Sequence, residues 1–207
     1  MTVPEPPVVP EPPVVPEAVE GFRVPRRIVT GHDAAGTSVV VGDGPVPVSR
    51  ELAEDGVAFH EVWVTAQSPA LIGAGNEDPT AGALTVPPPT HGTRIRINEF
   101  LPGHLDVHGR QSPVHRTESI DYGIVIEGEI TLLLDDSEVT AHAGDIVVQR
   151  GTDHAWANRG DTIARVAFVL VGGEFGPDVL GVLPEGARAG LMTHGPRDGA
   201  HAKEESA

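Results

Sequence analysis

The 207-residue chain contains no cysteine, which excludes disulfide bonds, thiolate metal sites and cysteine nucleophiles. Aromatic residues make up only 4% of the chain, and no apolar run approaches the roughly 18 residues of a membrane span. No basic stretch followed by an apolar one marks a secretory signal near the N-terminus. We therefore expect a cytoplasmic protein without a membrane partner, in which any metal has imidazole, carboxylate, hydroxyl or water ligands.

Positive charge is also scarce. Lys and Arg number 14 against 30 Asp and Glu, so the formal net charge is −16. Binding to a phosphate backbone needs a positive surface, and the densest basic stretch is only Arg23 with Arg26 and Arg27. The sequence therefore predicts that nucleic acid is not a partner.

Glycine and proline, by contrast, are abundant, with 25 and 20 residues, as in chains rich in turns. Residues 1–20 repeat the pattern Pro-Glu-Pro-Pro-Val-Val, which forbids helix and cannot donate to a sheet ladder. We interpret them as a disordered tail, with docking onto an aromatic groove as the alternative. Residues 177–207 are predicted to be a second, largely disordered tail that packs at most through Val179, Leu180, Val182 and Leu183. One domain remains, over residues 21–176.

Short runs rich in β-branched residues, separated by turn residues, recur through this domain and predict strands. They cover residues 27–30, 38–41, 58–65, 93–100, 122–126, 129–134, 146–149 and 163–171. One helix is predicted over 48–55, with Ser49 as its cap. Many short strands favour an all-β sandwich or barrel. No glycine-rich phosphate-binding loop opens a helix, so we expect no organic cofactor.

The residues that carry chemistry are concentrated in 103–158, which hold five of the ten histidines. Because side chains alternate between the two faces of a strand, one unbroken strand would present an imidazole, two hydroxyls and a carboxylate together. These are the side chains of His115, Thr117, Ser119 and Asp121. The same alternation groups His154, Trp156 and Asn158. Burying such polar faces is costly, and a divalent metal or a polar ligand would offset the cost.

Two segments within 109–158 resemble the two motifs of the cupin superfamily. The first matches the motif spacing at Gly109, His115, Thr117, Asp121 and Gly128. The second matches at Gly144, Gln149, Gly151, His154 and Asn158. In the second motif the spacer is one residue short, and Gln149 stands where proline is usual. Two spaced motifs on a chain that already has a β pattern are more specific than either motif alone.

The resemblance implies a single jelly-roll β-barrel with its site inside the barrel. The positions of the four cupin metal ligands are occupied here by His115, Thr117, Asp121 and His154. Thr117 thus replaces a histidine, and Asp121 replaces a longer glutamate. The remaining two imidazoles and one carboxylate suit one divalent Fe, Mn, Ni or Zn ion with open coordination positions. Alternatively the metal site has decayed, and the three side chains form a hydrogen-bonded polar cluster.

The predicted pocket residues are Thr117, Gln149 and Trp156. Gln149 either hydrogen-bonds a ligand or satisfies backbone groups in its turn. Trp156 either stacks on a substrate or packs in the core.

Four further residues have two interpretations each. His104 and His108 either supply a replacement metal ligand or are exposed loop residues. Arg94 and Arg96 share one strand face, where they either pair with carboxylates at a subunit contact or are solvated.

The resemblance implies a metal-dependent enzyme that acts on a small oxygenated organic molecule by oxygenation, decarboxylation, isomerisation or dehydration. Without a metal, Asp121 becomes the candidate general base, with a pKa raised by burial. The alternative function is a small-molecule binding or sensing protein that uses the same pocket without turnover. The resemblance also implies a homodimer.

Overall fold

The computed structural model describes residues 21–73, 75, 77–81 and 84–183. The tail predicted over 1–20, and residues 184–207 of the second tail, lie outside the described residues. The strands are β1 (Arg26–His32), β2 (Ser38–Pro45), β3 (Val48–Leu52), β4 (Val57–Thr65), β5 (Thr93–Phe100), β6 (Ser119–Glu127), β7 (Glu129–Leu133), β8 (Glu138–His142), β9 (Ile146–Arg150), β10 (Ala155–Ala157) and β11 (Ala164–Gly172). They are followed by the short helix α1 (Pro177–Val182).

The strands form two sheets and a separate hairpin. The larger sheet has the order β3-β4-β5-β11-β6-β9, the smaller sheet has the order β10-β7-β8, and β1 pairs with β2. All of these pairings are antiparallel. Apolar side chains of both sheets pack into one core, which includes Phe100, Val125, Ile130, Val166 and Phe168. This arrangement confirms the predicted all-β jelly-roll barrel.

Strand alternation decides which side chains line the barrel. Along β6, residues Ser119, Asp121 and Val125 are buried, while Ile120 and Tyr122 between them are exposed. Each inward position thus has an outward neighbour, as a pleated strand requires. The same alternation on β5 and β9 directs further polar side chains inward, and the site described below is built from them.

Two turns that each contain a glycine with a positive φ lie side by side at one end of the barrel. Gly128, between β6 and β7, has a φ of 71°, and Gly144, between β8 and β9, has a φ of 99°. The N–H of Ala143 donates to the carbonyl of Gly128 over 3.0 Å. A Cβ at Gly128 would lie 2.4 Å from the carbonyl oxygen of Ile163, whereas a Cβ at Gly144 would meet no atom within 4 Å. Both turns need glycine for its conformation, and the first also needs the space.

The prediction of a helix over 48–55 is wrong. Val48–Leu52 forms strand β3, which pairs with β4 through Val48 opposite Glu61. Ser49 does not cap a helix; its Oγ lies 2.9 Å from Nδ1 of His60 on β4. Pairing with a neighbouring strand outweighs the local preference of this segment, as tertiary context commonly does.

The C-terminal end of the described chain also differs from the expectation. Pro177–Val182 forms α1 within the stretch interpreted as a disordered tail, with proline in the first turn, where its missing N–H costs nothing. None of the helix residues is buried, and Val182 is 80% exposed, so the expected packing contact does not include it. No helix in the described ranges has the length and apolar character needed to cross a membrane.

Candidate functional site

A cavity of about 1200 Å³ lies inside the barrel. Its apolar lining includes Phe59, Phe100, Trp156, Phe168 and Leu170. Its polar lining includes Arg96, Asn98, His115, Asp121, Gln149 and His154. A largely apolar cavity with a few converging polar groups is the usual form of a small-molecule site.

The two motif histidines are held together by the backbone. The N–H of His115 donates to the carbonyl of His154 over 3.0 Å, and the N–H of His154 donates back over 3.1 Å. The centroids of the two rings are 4.1 Å apart. In each ring Nδ1 donates to the carbonyl two residues earlier, that of Pro113 for His115 and that of Thr152 for His154, both over 3.0 Å. These bonds leave Nε2 as the nitrogen that carries the lone pair when the ring is neutral.

The environment keeps His154 neutral. The side chain is buried, and burial together with the neighbouring His115 lowers its pKa to about 3, against the opposing effect of the Thr152 carbonyl. A neutral imidazole with a lone pair on Nε2 can accept a hydrogen bond or bind a metal ion.

A short chain of hydrogen bonds through two hydroxyl groups ends at the carboxylate of Asp121. Ser119 Oγ donates to Thr117 Oγ1 over 2.7 Å, and Thr117 Oγ1 donates to Asp121 Oδ2 over 3.4 Å. The other oxygen, Asp121 Oδ1, is buried and has no hydrogen-bond partner. Burial raises the pKa of Asp121, although the Ser119 hydroxyl, the charge of Arg96 and the Thr117 hydroxyl act in the opposite direction. An unpartnered buried carboxylate oxygen is a group that a ligand would satisfy.

The predicted metal ligands line one cavity, but they are not gathered into one cluster. His115 and His154 lie side by side, while Asp121 accepts a hydrogen bond from Thr117. Within the described ranges, no group of three or more His, Asp or Glu side chains is placed to hold a metal ion. His104, instead of joining the pair, lies at the cavity wall with Nδ1 3.3 Å from the carbonyl of Glu54. Imidazole and carboxylate donors suit a divalent metal in kind, and the assignment of His115, Asp121 and His154 to a metal stays a prediction.

The predicted pocket residues Gln149 and Trp156 both line the cavity. Gln149 lies opposite Asp121 in the pairing of β9 with β6, and its Nε2 is buried without a partner. The Trp156 ring contacts the His154 ring and the Phe168 ring edge-to-face, with centroid distances of 6.0 Å and 5.3 Å. Trp156 is therefore both a core residue and a wall of the cavity.

Asn158, the last residue of the second motif, has a structural role. It is fully buried, and its Nδ2 donates to the carbonyls of Phe100 and Thr162 over 2.8 Å and 2.7 Å. These bonds tie the segment after β10 to the end of β5, which keeps His154 and Trp156 against the larger sheet.

The burial of two arginines, Arg94 and Arg96, is not among the features predicted from the sequence. Arg94 and Arg96 are 8% and 3% exposed, so the expectation that they are solvated or at a subunit contact is wrong. They pair with Glu61 inside the chain, because Arg94 Nη1 donates to Glu61 Oε2 over 2.6 Å. The signal was present in the sequence: Arg94, Arg96 and Asn98 alternate in phase with Phe100, whose aromatic side chain belongs in a core.

Comparisons with known proteins agree with this architecture. Residues 103–171 match the family model for the cupin domain. The chain is 37% identical over 156 residues to phomopsin biosynthesis cluster protein D of Diaporthe leptostromiformis, covering 72% of this chain and 79% of that protein. It is 36% identical over 152 residues to the cupin-domain-containing oxidoreductase fogC of Aspergillus ruber, covering 70% of this chain and 71% of that protein.

A third relative is the cupin-domain-containing oxidoreductase virC of Hypocrea virens, 33% identical over 158 residues, which are 73% of this chain and 77% of that protein. Among solved structures, the cupin domain of Schizosaccharomyces pombe Cnp3 aligns with 84% of this chain and 98% of its own, with a TM-score of 0.43 and 13% identity. Identity above 30% over most of both chains places the relationship beyond a shared fold. The chain belongs to the cupin superfamily.

Proposed function

We propose that this protein is a cupin oxidoreductase that encloses a small oxygenated organic molecule in the barrel cavity. The observation that carries the proposal is that three polar side chains line one largely apolar cavity. They are neutral His154, its neighbour His115, and Asp121 with its unpartnered Oδ1. The names of the Aspergillus and Hypocrea relatives support the reaction class. The lining of the cavity supports a small organic substrate, since sites for such ligands are mostly apolar with a few converging polar groups.

In this proposal, Nε2 of His115 and of His154 and the carboxylate of Asp121 would hold a divalent first-row metal. When bound, such an ion supplies a Lewis acid and open coordination positions for an oxygen atom of the substrate. The hydrogen bonds from each Nδ1 to a backbone carbonyl support the assignment of the two histidines, because metal-bound imidazoles are usually fixed in this way.

The other cavity residues bind and orient the substrate. The rings of Phe59, Trp156 and Phe168 exclude water and contact its apolar part. The Gln149 Nε2 group donates a hydrogen bond to a substrate oxygen, which satisfies a donor that has no partner in the protein. Asp121 Oδ1 accepts a proton or a hydrogen bond from a substrate hydroxyl, and it does so as a general base if the metal is absent.

The test is elemental analysis of the full-length protein, purified without chelators or a polyhistidine tag, beside its His154→Ala and His142→Ala variants. His142 is exposed on β8, away from the cavity, and serves as the matched control. We expect near-stoichiometric iron, manganese, nickel or zinc in the parent and in His142→Ala, and loss of the metal in His154→Ala. Thr117→His should tighten retention, because it adds the imidazole that the motif position usually carries.

Full metal retention in His154→Ala would refute the assignment of the metal to this site. Absence of metal from all variants after reconstitution would refute metal dependence. The second candidate function, small-molecule binding without turnover, would then be favoured over a metal-dependent reaction. The lack of a three-residue ligand cluster among the described residues supports the metal-free pocket that this function would use. Ligands that raise the melting temperature without being consumed would establish that function.

A further inference from the structure

A serine, a histidine and a glutamate form a continuous hydrogen-bonded chain on the outer face of the larger sheet. Ser49 on β3 lies opposite His60 on β4, and its Oγ is 2.9 Å from His60 Nδ1. The other ring nitrogen, Nε2, is 3.3 Å from Oε2 of Glu99 on β5. The β4 residues Val57 and Phe59 line the cavity, so strand alternation places His60 on the opposite side of the sheet.

Glu99 determines which nitrogen of His60 carries the ring proton. Glu99 is fully buried, and it accepts hydrogen bonds from Arg165 Nε over 2.6 Å and from the Arg23 N–H over 2.7 Å. Burial acts to raise its pKa, but the hydrogen bonds from His60, Arg23 and Arg165 and the Arg165 charge together lower it. An ionised carboxylate only accepts hydrogen bonds, so Nε2 of His60 is the donor toward Glu99.

This tautomer turns the lone pair of His60 toward Ser49. When the ring carries one proton, that proton lies on Nε2, and Nδ1 accepts the hydrogen bond of the Ser49 hydroxyl. Ser49 is exposed, whereas His60 and Glu99 are fully buried, so the hydroxyl meets solvent while the other two groups are shielded. A hydroxyl that donates to an imidazole, which a third group orients in turn, is the arrangement that activates serine as a nucleophile.

Strand β3 also offers backbone donors beside Ser49. It is the edge strand of the larger sheet, and β4 pairs with one of its two edges. Within the described residues, the N–H groups on the other edge of β3 have no strand partner. Free backbone N–H groups next to a nucleophile are the donors that stabilise the oxyanion formed in acyl transfer.

We propose that Ser49 is a nucleophile for acyl transfer, with His60 as its general base and Glu99 as the positioning residue that sets the His60 tautomer. The substrate class is a neutral, activated ester or thioester. An anionic acyl donor is disfavoured by the net charge of −16 and by Glu51, which shares the outer face of β3 with Ser49. This site lies outside the cavity, so it does not depend on the proposed function.

The reaction moves an acyl group from the ester to Ser49 without an oxidant or a reductant. Ser49 Oγ forms a bond to the carbonyl carbon while its proton passes to Nδ1 of His60. The bond from that carbon to the leaving oxygen or sulfur breaks, and the leaving group departs with the electron pair. His60 is buried behind Ser49 and does not protonate the leaving group, which is why the ester must be activated. Water then adds to the acyl-serine, the acid leaves, and Oγ regains a proton.

The test is release of p-nitrophenolate from p-nitrophenyl acetate by the full-length protein. We expect release above the rate in buffer, and an acetyl group on Ser49 when the reaction is quenched with acid and the peptides are identified by mass spectrometry. Release no faster than in buffer, or acetyl groups confined to other residues, would overturn the proposal. Both measurements use the unaltered protein and do not depend on whether any variant folds.

Variants then assign the reaction to the two residues. Ser49→Ala and His60→Gln should each lower the rate of release about 100-fold or more, because general-base catalysis contributes at least this factor. Ser38→Ala is the matched control: Ser38 is exposed on β2 opposite His32, but within the described residues no hydrogen bond joins these two side chains. Equal rates in Ser49→Ala and Ser38→Ala would refute Ser49 as the nucleophile, and an unchanged rate in His60→Gln would refute His60 as the base.

Glu99→Gln tests the positioning role through the tautomer of His60. Arg165 requires the oxygen of the new amide, so the NH₂ group faces His60 Nε2 and makes that nitrogen an acceptor. The ring proton then lies on Nδ1, which no longer accepts a proton from Ser49. NMR of the imidazole nitrogens should show the proton on Nε2 in the parent and on Nδ1 in the variant, with release about 100-fold slower. The same tautomer in both proteins would refute the role of Glu99.

Discussion

Replacing Gly128 by alanine should destabilise the barrel much more than the same replacement at Gly144. Both glycines have a positive φ, 71° and 99°, which costs a residue with a Cβ about 1–2 kcal/mol. Only Gly128 adds a steric conflict, since its Cβ would lie 2.4 Å from the carbonyl oxygen of Ile163 and 3.1 Å from Cα of Ala164. These are backbone atoms, which a rotamer change cannot move away.

The expected magnitudes follow from these contacts. Strain of this kind in a well-packed region adds about 1–3 kcal/mol, so Gly128→Ala should cost about 3 kcal/mol and Gly144→Ala about 1 kcal/mol. For a chain of this size, 1 kcal/mol lowers the melting temperature by about 2–4 °C. Gly128→Ala should therefore lower it by about 6–12 °C, and Gly144→Ala by about 2–4 °C.

The assay is thermal unfolding followed by circular dichroism, with urea unfolding to compare the free energies directly. Gly144→Ala is the matched control, because it carries the conformational cost without the collision. Equal losses of stability in the two variants would show that the approach of Ile163 to the β6–β7 turn contributes nothing, and the steric argument would be wrong.

Three further predictions concern other contacts. Asn158→Ala should cost about 2 kcal/mol in urea unfolding, because it leaves two buried backbone carbonyls without their donor. Arg165→Met should cost about 3 kcal/mol, since Arg165 Nε donates to fully buried Glu99 over 2.6 Å, and the double variant with Glu99→Gln should cost less. The Arg27 guanidinium lowers the pKa of Asp78 in the folded protein to about 2. The pair of Arg27 and Asp78 therefore stabilises the fold at pH values above the pKa that Asp78 has in the unfolded chain. This stabilisation is lost as the pH falls through the pKa of Asp78 in the folded protein. Asp78→Asn should therefore reduce the melting temperature at neutral pH but not near pH 2, by an amount equivalent to about 1 kcal/mol.

Much of the fold follows from the local sequence pattern. The run over 93–100 coincides with β5. The run over 58–65 is one residue shorter than β4 at its start, and the run over 163–171 is shifted from β11 by one residue at each end. These strands have long β-branched stretches and clear turn residues around them, so local preference and tertiary pairing agree. Strand β3 does not follow from the pattern, because its segment has few β-branched residues and is extended only through pairing with β4.

The sequence predicts which residues line the site but not how they are arranged in space. Alternation correctly places Thr117, Ser119 and Asp121 on one buried face, but β6 begins only at Ser119, and His115 instead pairs with His154. A break of a few residues in a strand cannot be detected from side-chain types, since it depends on which backbone groups find partners elsewhere. The distance between His115 and Asp121 is set by this break.

The reciprocal backbone hydrogen bonds between His115 and His154 hold these two positions at a fixed separation, whichever side chains they carry. Because main-chain atoms make both bonds, the separation of the two Cα positions does not depend on which residues occupy them. Carboxylate or other ligand side chains can therefore be substituted at either position without redesigning the surrounding loops. Two substitutions at this backbone bridge can therefore change the chemistry of the cavity wall without changing the barrel.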